Sequence, residues 1–529
     1  MSKKEVDFIL FNAKIYTVDD SFSVAEAFAV KDGKFVAVGS NRSVLSKYEA
    51  KQQYDAALKA VYPGFNDGHC HFSGYGENRL RYVELYGSRS FDEVLERLEI
   101  HQRTNSSDWI LGRGWDQNLW ETKEFPDNKQ FDSLFPNKKV FLIRIDGHAA
   151  LVSNATLDEV GISGKTEIEG GDILLDAFGN PTGILIDNAY DKVKESIPEM
   201  TDNEQIKALQ LAQESCFKVG LTTVTDAGLS LKRIQLIDSA QQAGILKMRI
   251  NAMINPDDET TTHFFTLGPI EKQRLTVRTL KLYADGALGS RGAKLIEPYS
   301  DDETTTGLML FDKTFYNDLC KRAYDANYQV AMHAIGDAAN RFTLNLYASF
   351  LKEKNDRRWR IEHAQIINPD DFSLFGMYSI IPSIQSTHAT SDMTWAADRL
   401  GAERLKTAYA QRLLLEQNGW LINGTDFPIE DINPLFTFYA AVERKNQDDV
   451  IEGFQTENAL TRKEALRSIT VWPAKGSFEE NRKGTIEVGK DADFVVLTHD
   501  IMTVEASKIK QTEVMSLYIL GEKVYQQNQ

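Results

Sequence analysis

Residues 61–72 read VYPGFNDGHCHF: an apolar run, a Pro-Gly step, then two histidines one residue apart. On an extended strand, residues i and i+2 share a face. His69 and His71 therefore point the same way, and two neutral imidazoles there can reach one cation such as Zn²⁺. Cys70 points to the opposite face and reads as packing. The pair alone is a weak signal, because two ordinary polar residues at a strand end give the same pattern.

The rest of the chain gives the pair its weight. Seven further short apolar runs lie at 221–228, 248–255, 280–286, 329–336, 360–365, 378–386 and 420–427. Helical patterns such as FYNDLCKRAYDAN and AERLKTAYAQRLLLEQNG separate them. Eight strands alternating with helices predict a parallel α/β sheet closed into a TIM-like (β/α)8 barrel over 61–476. The stretch 73–220 is far too long for one helical connection. It has strand-like runs of its own, WILGRGW and KKVFLIRIDGHA. It reads as an inserted α/β subdomain after the first barrel strand, covering the barrel mouth. The two chain ends have a β texture, with Asp32-Gly33 as a hairpin signal. Neither end carries enough strands for a sheet alone. Residues 1–60 and 477–529 are therefore expected to pair into one composite β-sandwich domain.

Composition sets the boundaries. Of 529 residues, 42% are apolar, enough for a large core, and 10% are aromatic, which argues against disorder. The balance of 60 basic and 77 acidic residues, −17, leaves no electrostatic footprint for nucleic acid. Three cysteines cannot form a disulfide framework or a Cys-type zinc site, and they fit a reducing, cytoplasmic compartment. No signal peptide and no membrane span is read.

The nine histidines are unevenly placed. His333 ends the fifth run, His363 the sixth, and Asp426 the eighth. The C-terminal ends of barrel strands converge although they are distant in sequence. Burying four histidines and a carboxylate together without a metal or partners would be costly. Lys281 lies on the fourth run. It snorkels or pairs with Asp285, or, as a dry lysine of depressed pKa, takes up CO2 to form a carbamate. The loop 286–292 lacks the spacing of a phosphate cradle, which excludes nucleotide binding. His101, His263 and His499 lack such context and read as surface or structural.

These residues resemble the metal site of the amidohydrolase superfamily, and its family 3 branch of N-substituted formamide deformylase-like proteins in particular. The matching segments include PGFNDGHCHF, GRGWDQ, DGHAALVSNATL, LYADGALGSRGA, MHAIGDAAN, RIEHAQ, PSIQSTHATSD, NGTDFPIEDINPL and GTIEVGKDADFVVL, in order along nearly the whole chain. In PTGILID, Asp187 stands where this branch often has Glu. The resemblance implies one or two Zn²⁺ per chain, with Mn²⁺ or Fe²⁺ as alternatives. His69 and His71 would hold one metal, His333 and His363 the second, and carboxylated Lys281 would bridge them. Asp426 would contact the first metal and act as general base. The implied reaction is hydrolysis of a non-peptide amide-type C–N bond, in an N-acyl or N-formyl small molecule, by metal-activated hydroxide. His148 and His388 could donate to the substrate carbonyl. Arg144 could pair a substrate carboxylate or, equally, Asp116 or Asp146. Trp115 and Trp120 could wall an apolar pocket or form core. A homodimer is the family-level expectation. Deamination or cyclic-amide opening on the same fold, or a catalytically silent ligand-binding regulator, are the competing readings.

Overall fold

The computed structural model describes residues 3–103, 107–145, 149–168, 171–446 and 452–527, without the side chains of residues 118, 187 and 188. The chain forms two compact units. One is Met1–Phe72 with Gln213–Gln529, and the other is Ser73–Ala212. The helix Asp202–Lys218 runs through the boundary at 212, so the sequence pattern shows no break there.

In the first unit, all eight apolar runs are strands of one sheet: β1 (Phe65–Cys70), β2 (Leu221–Leu229), β3 (Arg249–Ile254), β4 (Leu275–Tyr283), β5 (Gln329–Ala334), β6 (Arg360–His363), β7 (Ile381–Ile384) and β8 (Ile422–Asn423). Each pairs in parallel with the next, from β1 through β8. Both faces of such a sheet are covered, which is why the strands read as near-continuous apolar runs. Every residue of β3, RINAMI, is buried. Helices fill the connections, among them Leu231–Gln242, Lys313–Asp325 and Asp337–Leu351.

The β8–β1 seam has no regular ladder. It is closed just beyond β8, where Asp426 N donates to His69 O at 2.8 Å and His71 N donates to Phe427 O at 2.8 Å. Glycine makes this approach possible. A Cβ on Gly68 would lie 2.1 Å from Ile422 Cγ2, and one on Gly424 would lie 2.5 Å from His69 N. Buried Asp67 locks the seam, accepting from His69 N at 3.1 Å and from Thr425 Oγ1 at 2.6 Å.

Two sheets lie beside the barrel strands in the same unit. One takes strands from both chain ends, with Phe494–Leu497 antiparallel to Ala60–Pro63. The other is wholly N-terminal: Lys34–Gly39, Ala27–Lys31, Lys4–Phe11 and Tyr48–Asp55, in that order. This corrects the expectation that neither end builds a sheet alone. Tyr48–Asp55, YEAKQQYD, is a polar edge strand with little buried side chain, so it lacks an apolar signature. Phe8, Phe28 and Phe35 from the N-terminal sheet share one core with Phe494, Val496 and Tyr518 from the mixed sheet. Asp32 and Gly33 have φ of 51° and 75°, the two positive values a type I′ hairpin turn needs.

The Ser73–Ala212 unit has a mixed six-stranded sheet, in the order Gly171–Leu175, Pro181–Asp187, Ala149–Val152, Lys139–Arg144, Trp109–Trp115, Tyr82–Glu84. Alternate residues supply two cores: Ile110, Val140 and Leu142 on one face, Trp109, Phe141 and Ile143 on the other. Among the described residues, no helix is long and apolar enough to cross a membrane.

Candidate metal centre

The C-terminal ends of β1, β4, β5, β6 and β7 and the turn after β8 bring together the histidines, the lysine and the aspartate anticipated from sequence. His69 is fully buried. Its Nδ1 faces Glu362 Oε2 at 2.6 Å, which fixes the tautomer with the proton on Nδ1 and leaves Nε2 as the free lone pair. That Nε2 lies 3.5 Å from Asp426 Oδ1 and 3.4 Å from Lys281 Nζ. His71 Nε2 reaches the same Asp426 oxygen at 3.2 Å, and His388 Nε2 lies 3.5 Å from Asp426 Oδ2. His363 donates through Nδ1 to Gln385 Oε1 at 2.7 Å, and its ring is 5.2 Å from His69 and 5.7 Å from His388.

Two sets of ligand atoms, each mutually within 4.8 Å, share Asp426: His69 with His71, and His363 with His388. His333 lies outside both sets among the described residues. Its ring is 4.5 Å from that of His363, while its Nε2 is 3.5 Å from Gly286 O and from Asp285 Oδ1. Asp285 is occupied by the backbone N–H groups of Lys294, Ile335 and Gly336, at 2.8–3.0 Å, rather than by Lys281. Lys281 instead sits beside His69 and under the Tyr283 ring, 4.8 Å from its centroid.

Backbone strain places two of these side chains. His363 and Asp426 have φ of 73° and 59°, in the left-handed region that non-glycine residues rarely occupy. Strand alternation would send Glu362 and His363 to opposite faces. The positive φ breaks that alternation, so Glu362 holds His69 while His363 also faces the cluster.

The electrostatics suit cation binding. Burial pushes His69 down to about 4 and His333 to about 3, and it also holds His363 well below its ordinary value. All three are therefore neutral near pH 7, with a lone pair to offer. Burial also lowers Lys281 to about 8. Burial pushes Asp426 upward, but His71 and the surrounding histidines outweigh it and keep the carboxylate ionised. Asp426 Oδ1 and His388 Nε2 are buried without hydrogen-bond partners. Unmet polar atoms of this kind, among neutral imidazoles and a carboxylate, fit a divalent metal ion.

Several contributors were not evident from sequence. Glu362 is held by Ser383 Oγ at 2.8 Å and by the buried guanidinium of Arg360, which also donates to Gly68 O at 2.6 Å. The Arg360/Glu362 pairing was readable as i, i+2 residues on one strand face, but its target was not. Gln385 carried no signal at all. Cys70 packs away from the cluster, its thiol toward Thr225 O.

The remaining candidates lie in the Ser73–Ala212 unit. Trp115 is buried in that unit's core with Trp120, its indole donating to Leu142 O at 2.8 Å. Arg144 donates to Gln117 Oε1 at 2.8 Å and pairs with Asp116 Oδ1 at 2.9 Å. His148 and the side chain of Asp187 lie outside the described residues.

A model of the amidohydrolase family matches residues 52–525. The chain is 32% identical to the Bacillus subtilis protein YtcJ, over 97% of its own length and 98% of that protein's. It is 26% identical to the N-substituted formamide deformylase of Arthrobacter pascens, over 98% of both. The crystal structure of an uncharacterized metal-dependent hydrolase from Pyrococcus horikoshii OT3 superposes with a TM-score of 0.81 at 27% identity, covering 94% of this chain and 99% of that one. With its eight parallel strands and its histidine–carboxylate cluster, this chain belongs to the amidohydrolase family and has the fold of its metal-dependent hydrolases.

Proposed function

We propose that this protein hydrolyses a non-peptide amide-type C–N bond in a small N-acyl or N-formyl compound. The observation that carries this reading is Asp426. Its carboxylate is buried and ionised, shared between two histidine pairs, and short of hydrogen-bond partners. Similarity to a protein named N-substituted formamide deformylase supports the N-formyl class.

His69, His71, His363 and Asp426 would hold the metal, with His333 and a carboxylated Lys281 completing a two-metal site. Zinc suits the donor set, and manganese or iron would also be accepted. When bound, the metal supplies Lewis acidity to water and to the substrate carbonyl. The chain's own groups do the rest. Asp426 accepts a proton from the attacking water and returns it to the leaving nitrogen, because its Oδ atoms are anionic and stand at the centre of the cluster. His388, on the edge of the cluster, donates to the carbonyl oxygen as negative charge develops there. Glu362 holds His69 with Nε2 inward. Three free, buried cysteines are compatible with a cytoplasmic location.

The test is a panel of N-formyl, N-acetyl and cyclic amides assayed with zinc- and manganese-loaded protein. Turnover of N-formyl or N-acetyl compounds that disappears on chelation is the expected result. Turnover confined to cyclic amides or ring amines, with one metal per chain and unmodified Lys281, would replace this reading with a cyclic amidase or deaminase. A protein that takes up no metal under any loading condition would sink it.

A further inference from the structure

Behind the metal cluster lies a buried cation that makes no direct ion pair among the described residues, Glu457 attracting it only from a distance. Arg444 is fully buried, just past the helix Pro434–Glu443. Its hydrogen bonds all go to neutral oxygens: Phe454 O at 2.9 Å, and Tyr409 O and Gln455 Oε1 at 3.4 Å each. Among the described residues it makes no ion pair with a carboxylate, and its Nη1 has no hydrogen-bond partner. A permanent charge placed this way needs compensation, since an unpaired buried guanidinium is strongly disfavoured.

Gln385 has a matching deficit. Its Oε1 accepts from His363, and its Nε2 is buried without a partner. Gln385 and Arg444 line the same small cavity, about 20 Å³ in volume. Of its other polar lining, Ser386 donates to Gln411 Oε1 and Gln411 donates to Ala441 O, while His388, from the edge of the metal cluster, brings a further unpartnered nitrogen, Nε2. Among the described residues, no acidic one lines it. The cavity therefore offers Arg444 Nη1 and Gln385 Nε2 as unmet donors, the first of them cationic. It has room for one species of about the size of a water molecule.

We propose that this cavity binds one small monovalent anion, such as chloride, between Arg444 Nη1 and Gln385 Nε2. The anion neutralises the guanidinium and holds the Gln385 amide with its oxygen on His363. It thereby keeps the His363 proton on Nδ1 and leaves Nε2 toward the cluster. The site stands on the buried cation and does not depend on which amide the protein hydrolyses.

Crystals of the full chain soaked in sodium bromide test it directly. The expected result is an anomalous peak in the cavity, in contact with Arg444. A cavity holding only a water, with no bromide signal, overturns the proposal. In solution, sodium chloride should raise the melting temperature by about 1–2 °C, saturably, over sodium gluconate at equal ionic strength. Arg444→Met should abolish that difference, and an undiminished chloride response in this variant also overturns the proposal. If Arg444→Met does not fold, the bromide result on the unaltered protein decides alone.

Discussion

At the scale of single residues, the centre depends on carboxylates doing different work. Asp426 touches three histidines, and its free oxygen positions are what a proton acceptor needs. Asp426→Asn keeps the shape and one ligand oxygen but removes the base. Turnover of the metal-loaded enzyme should fall by about 10²–10⁴-fold while metal content by atomic absorption changes little. Near-unaltered turnover would take Asp426 out of the base role. Glu362 acts through His69, 2.6 Å away. Glu362→Gln should weaken metal binding by about 10–100-fold, read by chelator competition. Unchanged affinity would leave Glu362 a purely structural partner of Arg360. The histidines and Asp426 were legible because each falls at the end of an apolar run. Glu362 and Gln385 were not, because neither a strand position nor a neighbouring residue tells which imidazole a side chain will meet.

At the scale of elements, the barrel seam is the feature with the least tolerance. β8 contributes only two residues, Ile422–Asn423, so closure rests on contacts just beyond it rather than on a ladder. Gly68→Ala places a methyl 2.1 Å from Ile422 Cγ2 and 2.9 Å from Asn423 O. The variant should lose about 1–3 kcal/mol, seen as a lower urea midpoint, because backbone cannot give way as a side-chain tip can. Metal uptake should fall with it, since His69 and Asp426 straddle the seam and share a hydrogen bond at 2.8 Å. A midpoint within error of the parent would mean that the strands part there at little cost. All eight strands were legible as apolar runs, since a sheet buried on both faces selects continuous hydrophobic sequence. The edge strand Tyr48–Asp55 was not, because a strand exposed along most of its length has no such requirement.

At the scale of the molecule, charge pairs tie β3 to the C-terminal segment. Arg249, at the start of that strand, pairs with Asp491 and Asp493, each at 2.7 Å and nearly fully buried. Arg249→Met should cost about 3–5 kcal/mol, because it leaves two carboxylates in low dielectric with one positive neighbour fewer. Urea unfolding followed by far-UV circular dichroism would measure it, and a loss under about 1 kcal/mol would show that water, or Lys34 at 3.1 Å from Asp491, already compensates the charge. Nothing in the sequence pairs residue 249 with residues 491 and 493, for they are more than 240 positions apart.

The amino-acid sequence by itself determined the barrel, the β character of both ends and the histidines and aspartate of the cluster. Each is written in local periodicity or in residue type at a strand end, and burial enforces both along the chain. Only the tertiary structure decided that Glu362 meets His69, that the ligand atoms of His388, His363 and Asp426 lie within 4.8 Å of one another while His333 stands outside that group, and that Lys281 stands beside His69. Those outcomes depend on positive φ at His363 and Asp426 and on which strand ends approach across the barrel. They are set by long-range packing, which no local pattern encodes.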